Sequence, residues 1–207
     1  MTPEQQLHRG IAALGLAPGA AVEQRLLAYL ALLGKWNQRY NLTAVRDPGA
    51  MVTRHLLDSL AIEPYLLGPR VIDVGTGAGL PGIPLALMRP DLQFTLLDSQ
   101  AKKIRFVRQA IAELAVTNVE AVQARVEDYR SASPFNTVVA RAFASIPDML
   151  ALAGSRCARG GRFLAMKGTH PRAELDPAPA GFRVEAVHRL SVPGLDAERH
   201  LVVLTPQ

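Results

Sequence analysis

The segment that most constrains this chain is residues 70–84, Arg-Val-Ile-Asp-Val-Gly-Thr-Gly-Ala-Gly-Leu-Pro-Gly-Ile-Pro. Its opening run, Val71 to Val74, is apolar apart from Asp73, and glycines follow at 75, 77, 79 and 82. A short apolar run that ends in glycines and leads into Ile83, Leu85, Ala86, Leu87 and Met88 reads as strand, turn, helix. Glycine has no Cβ, so backbone amides and a helix N-terminus can approach a ligand closely there. The segment is therefore expected to be the binding loop of a Rossmann-like half. The alternative for the loop alone is a glycine-rich structural turn.

Spacing narrows the ligand. A dinucleotide fingerprint needs G-x-G-x-x-G from the end of the strand. Counted from Gly75 the sixth position is Leu80, and the pattern fails. Counted from Gly77 it is met on paper, but two residues past the strand and with Pro81 where the helix should begin. What the loop does carry is acid-x-Gly-x-Gly-x-Gly: Asp73, Gly75, Gly77, Gly79. This resembles the first motif of S-adenosylmethionine-dependent methyltransferases. Such a cofactor has no pyrophosphate, and a carboxylate near its ammonium group is favourable. A second strand-like run, Leu92 to Leu97, ends in Asp98, 23 residues after Gly75. An acid at about that distance holds ribose hydroxyls in nucleotide-binding halves. Asp98 could instead cap the next helix, a task that Ser99 can also perform.

The remaining pattern is α/β. Leu7, Ile11 and Leu14 fall at helical spacing over 3–16, and Val22, Leu26, Leu30 and Leu33 over 20–35, where the helix should end near Gly34. Trp36 to Thr43 follows neither period. Pro48 opens a helix that Pro64 ends, with His55 and Asp58 three apart on one face and expected to pair. From residue 70, strands alternate with helices: 70–74, the Asp98 strand, helix 99–115, 118–124, 135–140 ending at Arg141, helix 145–157, and 160–167. Residues 171–181 read as an exposed loop. Two final runs, 182–192 and 199–205, have no helix between them and form an expected hairpin. The prediction is a doubly wound, mainly parallel sheet whose last strand is antiparallel. Residues 1–66 are expected to form a helical extension and 67–207 one compact core.

With 207 residues and 49% apolar residues the chain can bury a full core. It lacks an apolar run of membrane-spanning length, and Met1 to Arg9 is too polar for a signal peptide. Cys157 is the single cysteine, so neither an internal disulfide nor a multi-cysteine metal site is expected. These traits fit a cytoplasmic monomer without a metal. The formal charge of +5 points weakly to an anionic partner. Arg141, Arg156, Arg159, Arg162, Lys167 and Arg172, together with Lys102, Lys103, Arg105 and Arg108, are the candidate phosphate track.

Six blocks, in order, carry a closer resemblance. They are Trp36-Asn37 with Tyr40-Asn41-Leu42-Thr43, Arg54-His55 with Asp58-Ser59, Asp73 to Pro84, Leu96 to Ser99, Arg141-Ala142-Phe143-Ala144, and Glu198-Arg199-His200-Leu201. The chain from Trp36 to Leu204 resembles the bacterial small-subunit (16S) ribosomal RNA guanine-N7 methyltransferases, also called glucose-inhibited division protein B. The resemblance implies a class I methyltransferase fold with a seven-stranded sheet. It implies S-adenosyl-L-methionine as cofactor, and small-subunit ribosomal RNA or the assembled subunit as partner. It would place Gly75 and Leu80 on the cofactor, Val126 and Glu127 at its adenine, and Arg141 in the cleft. Arg39, Lys102, Arg105 and Lys167 are the RNA-binding candidates. Methylation at N7 uses a free lone pair and loses no proton, so no general base is needed. The sequence offers no Cys–His or Ser–His–Asp arrangement, and Arg141 is expected to orient rather than to act as acid or base. Other readings of the residues alone are a methyltransferase for another RNA or a small molecule, a nicotinamide-dependent oxidoreductase, and a non-enzymatic RNA-binding module.

Overall fold

The computed structural model describes residues 1–141, 145–176 and 179–207. The alternating pattern becomes β1 (Arg70–Val74), α5 (Gly82–Met88), β2 (Gln93–Asp98), α6 (Ala101–Glu113), β3 (Val119–Gln123), β4 (Phe135–Arg141), α7 (Ile146–Ala153), β5 (Cys157–Lys167), α8 (Arg172–Leu175), β6 (Phe182–Arg189) and β7 (His200–Pro206). Ahead of them lie α1 (Pro3–Ala13), α2 (Ala20–Tyr40) and a third helical run. That run consists of α3 (Pro48–Met51), a π-helical turn (Val52–Leu57) and α4 (Asp58–Leu60).

Among the described residues the sheet has seven strands in the order β3-β2-β1-β4-β5-β7-β6. The first five pair in parallel, and β7 runs antiparallel between β5 and β6. This is the expected mainly parallel sheet with an antiparallel end. The chain winds outward from β1 to β3, then returns to lay β4 on the other side of β1. In such sheets ligands bind where the order reverses, beyond the carboxyl ends of the strands. Gly75 and Arg141 end up side by side there, because Val74 pairs with Ala140.

The strands are apolar because helices cover both faces. Val71, Phe94, Val139, Leu164 and Val203 meet α1, α2, α5 and α6 on one face, through Leu7, Leu26, Ile83 and Phe106. Ile72, Val138, Phe163, Val202 and Leu204 meet α7 on the other, through Ile146, Met149 and Leu150. The period-2 alternation of β1 thus feeds two cores.

Two local expectations are corrected. Helix α2 runs on through Gly34 to Tyr40. A glycine inside a helix costs about 1 kcal/mol, but the added turn buries Asn37 and packs Trp36 against Tyr40 and Phe106, with ring centroids 5.1 and 5.7 Å away. The helix stops at Asn41, whose φ of 47° is left-handed. The loop expected over 171–181 contains the short helix α8. Its Glu174 accepts from the Ile146 amide at 2.6 Å and pairs with Lys167 at 2.8 Å.

Candidate active site

The loop after β1 is shaped by its own backbone and by one buried acid. Gly75 and Thr76 donate to the Leu97 carbonyl at 2.8 and 3.0 Å, which ties the loop to β2. Gly75, Gly77 and Gly79 adopt φ of 71°, 61° and 86°, the left-handed region that favours glycine. Gly82 is needed for close approach instead: a Cβ there would lie 2.1 Å from Leu96 and 2.8 Å from an Asp73 carboxyl oxygen.

Asp73 lies beneath the loop at 1% exposure. Its Oδ2 accepts from Thr76 Oγ1 at 2.6 Å and from the Gly82 amide at 2.9 Å, while its buried Oδ1 has no partner among the described residues. Burial pushes its pKa up to about 6; the two hydrogen bonds and the Arg141 charge only partly oppose this. On the loop's other side Tyr29 of α2 donates from its hydroxyl to the Ala78 carbonyl at 2.7 Å. The N-terminal helices therefore hold the binding loop, which periodicity alone could not reveal. Tyr29 was missed because it reads as one more core position of an amphipathic helix.

Asp98 closes the end of β2. Its Oδ2 accepts from the Gly77 amide at 3.0 Å and its Oδ1 from the Gln100 amide at 2.9 Å, with Lys103 Nζ 3.6 Å from Oδ2. The sequence posed capping and ligand binding as alternatives. Asp98 itself makes the turn into α6, and it also faces a cleft. That cleft, about 310 Å³, is lined by Gly75, Asp98, Ser99, Gln100, Val126 and Arg141 among others, with Glu127 at its edge.

The structure thus brings Gly75, Asp98, Val126, Glu127 and Arg141 onto one cleft. Asp73, Gly77, Gly79 and Leu80 do not line it; they build the loop, and Leu80 is 3% exposed. The residues fit a cofactor with a ribose, an adenine and a cationic amino-acid end. Asp98 offers the cleft a carboxylate that can accept hydrogen bonds, Val126 offers an apolar wall, and the orphaned Asp73 oxygen leaves negative charge beneath the loop. A Cβ on Gly77 would meet only the Gly75 carbonyl, at 3.9 Å, so the loop is open on that side.

A second, larger cavity of about 640 Å³ adjoins the first through Arg141, which lines both. Its walls carry Arg54, His55, Asp58, Lys167, Thr169 and Arg199. The expected His55–Asp58 pair does not form. His55 Nε2 is 2.9 Å from Thr43 Oγ1. Asp58 Oδ1 instead accepts from Arg199 Nε at 2.8 Å, and its Oδ2 is 3.6 Å from Arg141 Nη1. Two guanidiniums outcompete a neutral imidazole for a buried carboxylate. Burial, with the Arg141 and Arg54 charges, pushes the His55 pKa down to about 4, so the ring is neutral at pH 7.

Of the basic residues singled out, Arg39, Lys102, Arg105, Arg108, Arg159 and Arg172 are exposed. Lys167 is not part of an open track: its side chain is 12% exposed and paired with Glu174. Arg156 and Arg162 donate to the carbonyls of Val126 and Tyr65. Phe143, with Ala142 and Ala144, lies outside the described residues.

Residues 22–202 match the family model described as rRNA small subunit methyltransferase G. The chain belongs to that family. The proteins named ribosomal RNA small subunit methyltransferase G from Serratia proteamaculans and Methylococcus capsulatus are 52% and 53% identical to it. The first alignment covers 97% of this chain and 98% of the relative, and the second covers 97% of each. Among solved structures, a glycopeptide N-methyltransferase, MtfA, complexed with S-adenosyl-L-methionine superposes with a TM-score of 0.60. It is 15% identical over 74% of this chain and 87% of its own, a likeness of fold. The small subunit methyltransferase G match spans the loop and both cavities. Arg199 stands inside the Glu198–Leu201 block, which could have flagged it; no local signal announces its partner Asp58, 141 residues away.

Proposed function

We propose that this chain transfers a methyl group from S-adenosyl-L-methionine to N7 of a guanine in small-subunit ribosomal RNA. The observation that carries the reading is the family match over 22–202, taken with a cleft of about 310 Å³ that shares Arg141 with a neighbouring cationic cavity. Asp98 would hold the ribose hydroxyls, Val126 and Glu127 the adenine end, and the Gly75 backbone the amino-acid end. Bound there, S-adenosylmethionine supplies an electrophilic methyl group on a sulfonium.

The chain's residues then have to orient the acceptor and exclude water. Guanine N7 attacks with a free lone pair, so a base is unnecessary, and a neutral, buried His55 fits that. Guanine presents N7 and O6 as neighbouring acceptors. A donor on N7 would block the reaction, so Arg141 orients the base through O6 or a phosphate. Holding two reactants in line is worth up to about 7–11 kcal/mol in ideal cases. Arg39, Lys102, Arg105 and Arg108 supply phosphate contacts outside the cavity.

Among the described residues no helix is long and apolar enough to cross a membrane, and Met1 is the one large hydrophobic residue left exposed. So polar a surface supports a chain that works as a monomer, and a ribosomal RNA substrate implies work in the cytoplasm.

Labelled S-adenosylmethionine incubated with purified small ribosomal subunits, naked ribosomal RNA and bulk tRNA tests the reading through nucleoside analysis. 7-Methylguanosine in the ribosomal samples alone is the expected result. Methylation of tRNA or of another position would refute the substrate, and absence of transfer to all three would refute the function.

A further inference from the structure

Arg141 ends β4, Lys167 ends β5 and Arg199 directly precedes β7. Arg141 pairs with Met166 in register, and Lys167 with His200, so the three cations stand in a row along one edge of the sheet, at the carboxyl ends of β4 and β5 and the amino end of the antiparallel β7. Neighbouring strands are about 4.8 Å apart, so the main chains at Arg141 and Arg199 are separated by roughly 10 Å. Two guanidiniums at that spacing repel, and each could turn to solvent. Asp58 prevents this. It comes from α4 of the N-terminal helical run, its side chain is 4% exposed, and each carboxyl oxygen faces one arginine.

We propose, resting on the methyltransferase reading, that Asp58 is a positioning residue. Its buried carboxylate sets the spacing and direction of the Arg141 and Arg199 guanidiniums as a two-pronged fork that holds the acceptor guanine and its phosphate against the cofactor cleft. The cluster itself supports this. One carboxylate serving two arginines leaves a net positive charge on the cavity wall, suited to an electron-rich base edge or a phosphate. Lys167 is already matched by Glu174 at 2.8 Å. Arg199 is held a second time, by the donation of its Nη1 to the Glu198 carbonyl at 2.9 Å, and the neutral His55 that lines the same cavity adds no charge to it. The fork also joins the N-terminal helical run to the two strand ends.

The test uses the full chain with small-subunit RNA that the wild type methylates, and the variants Asp58→Asn, Arg199→Ala and both together. A fork displaced by about 1 Å lowers turnover on the order of 100-fold. Asp58→Asn should therefore cut kcat about 100-fold. Its KM for RNA and its dissociation constant for S-adenosylhomocysteine should stay within threefold of wild type. In the Arg199→Ala background, Asp58→Asn should cost clearly less than its roughly 100-fold in the wild type, because only the Arg141 prong is left to release. A near-wild-type kcat for folded Asp58→Asn, a change confined to KM, or losses that multiply in the double variant would overturn the proposal. If Asp58→Asn does not fold, Arg199→Lys decides. It keeps the charge and removes the Nε prong, so full activity of Arg199→Lys refutes the fork and a loss of at least tenfold supports it. Failure of the wild type to methylate small-subunit RNA is a different result, and it removes the functional reading itself.

Discussion

Replacing Asp73 with asparagine should change how stability depends on pH, by an amount that burial sets. The Asp73 carboxyl titrates near 6 in the folded chain against an ordinary 3.8, because desolvation outweighs its hydrogen bonds to Thr76 and Gly82. A raised folded pKa means that the folded state holds the proton more tightly. The stability from this group is complete below pH 3.8 and is lost as pH rises through 6. The full loss is about 3 kcal/mol, of which about 1.4 kcal/mol falls between pH 5 and pH 8. His55 acts in the opposite sense. Its folded pKa of about 4 lies below the ordinary 6.5, so its contribution is present above pH 6.5 and is lost as pH falls towards 4. Between pH 8 and pH 5 that loss is about 2 kcal/mol. Wild-type stability should therefore vary little across this range, because the two groups nearly offset each other. Asp73→Asn removes one of the two. Its stability should rise from pH 5 to pH 8 by about 1.4 kcal/mol more than that of the wild type. Urea unfolding followed by the fluorescence of the single tryptophan, Trp36, reads this directly at several pH values. Parallel pH profiles for the two proteins would refute the assignment of a proton-binding, desolvated carboxylate under the loop.

Three further outcomes follow from the same geometry. Asp98→Ala should weaken S-adenosylhomocysteine binding by about 1–3 kcal/mol in calorimetry, the loss of a charged hydrogen-bond partner, and an unchanged dissociation constant would remove Asp98 from the cleft. Gly82→Ala forces a Cβ against buried Leu96 and the Asp73 carboxyl oxygen. It should destabilise the chain by about 1–3 kcal/mol in thermal or urea unfolding, whereas wild-type stability would show that the loop relaxes freely. Lys102→Ala combined with Arg105→Ala should lower the salt dependence of RNA binding by up to about one unit of slope for each phosphate left unneutralised, with cofactor affinity intact. Equal slopes would place the RNA elsewhere.

The glycine loop, the parallel strand–helix alternation and the terminal hairpin were legible because each follows from neighbouring residues. Left-handed glycines at 75, 77 and 79 make a loop wherever they occur, and a period of two or near four names a strand or a helix without reference to the rest of the chain. Local pattern failed where packing overrode propensity. Gly34 looked like a helix end, yet Trp36 and Asn37 find partners only if the helix continues past it. His55 and Asp58 looked like a pair three residues apart, yet Asp58 is claimed by arginines 83 and 141 positions further on. Tyr29 carries no signal of its own in the sequence, and its bond to the loop exists only because α2 is laid against Ala78. Consecutive residues thus specify the elements and the cofactor loop, whose geometry is a local property of the chain. Which charges meet at the wall between the two cavities is settled only by packing. Buried carboxylates take the strongest cationic partners within reach, and reach is set by sheet order and helix packing rather than by distance along the chain.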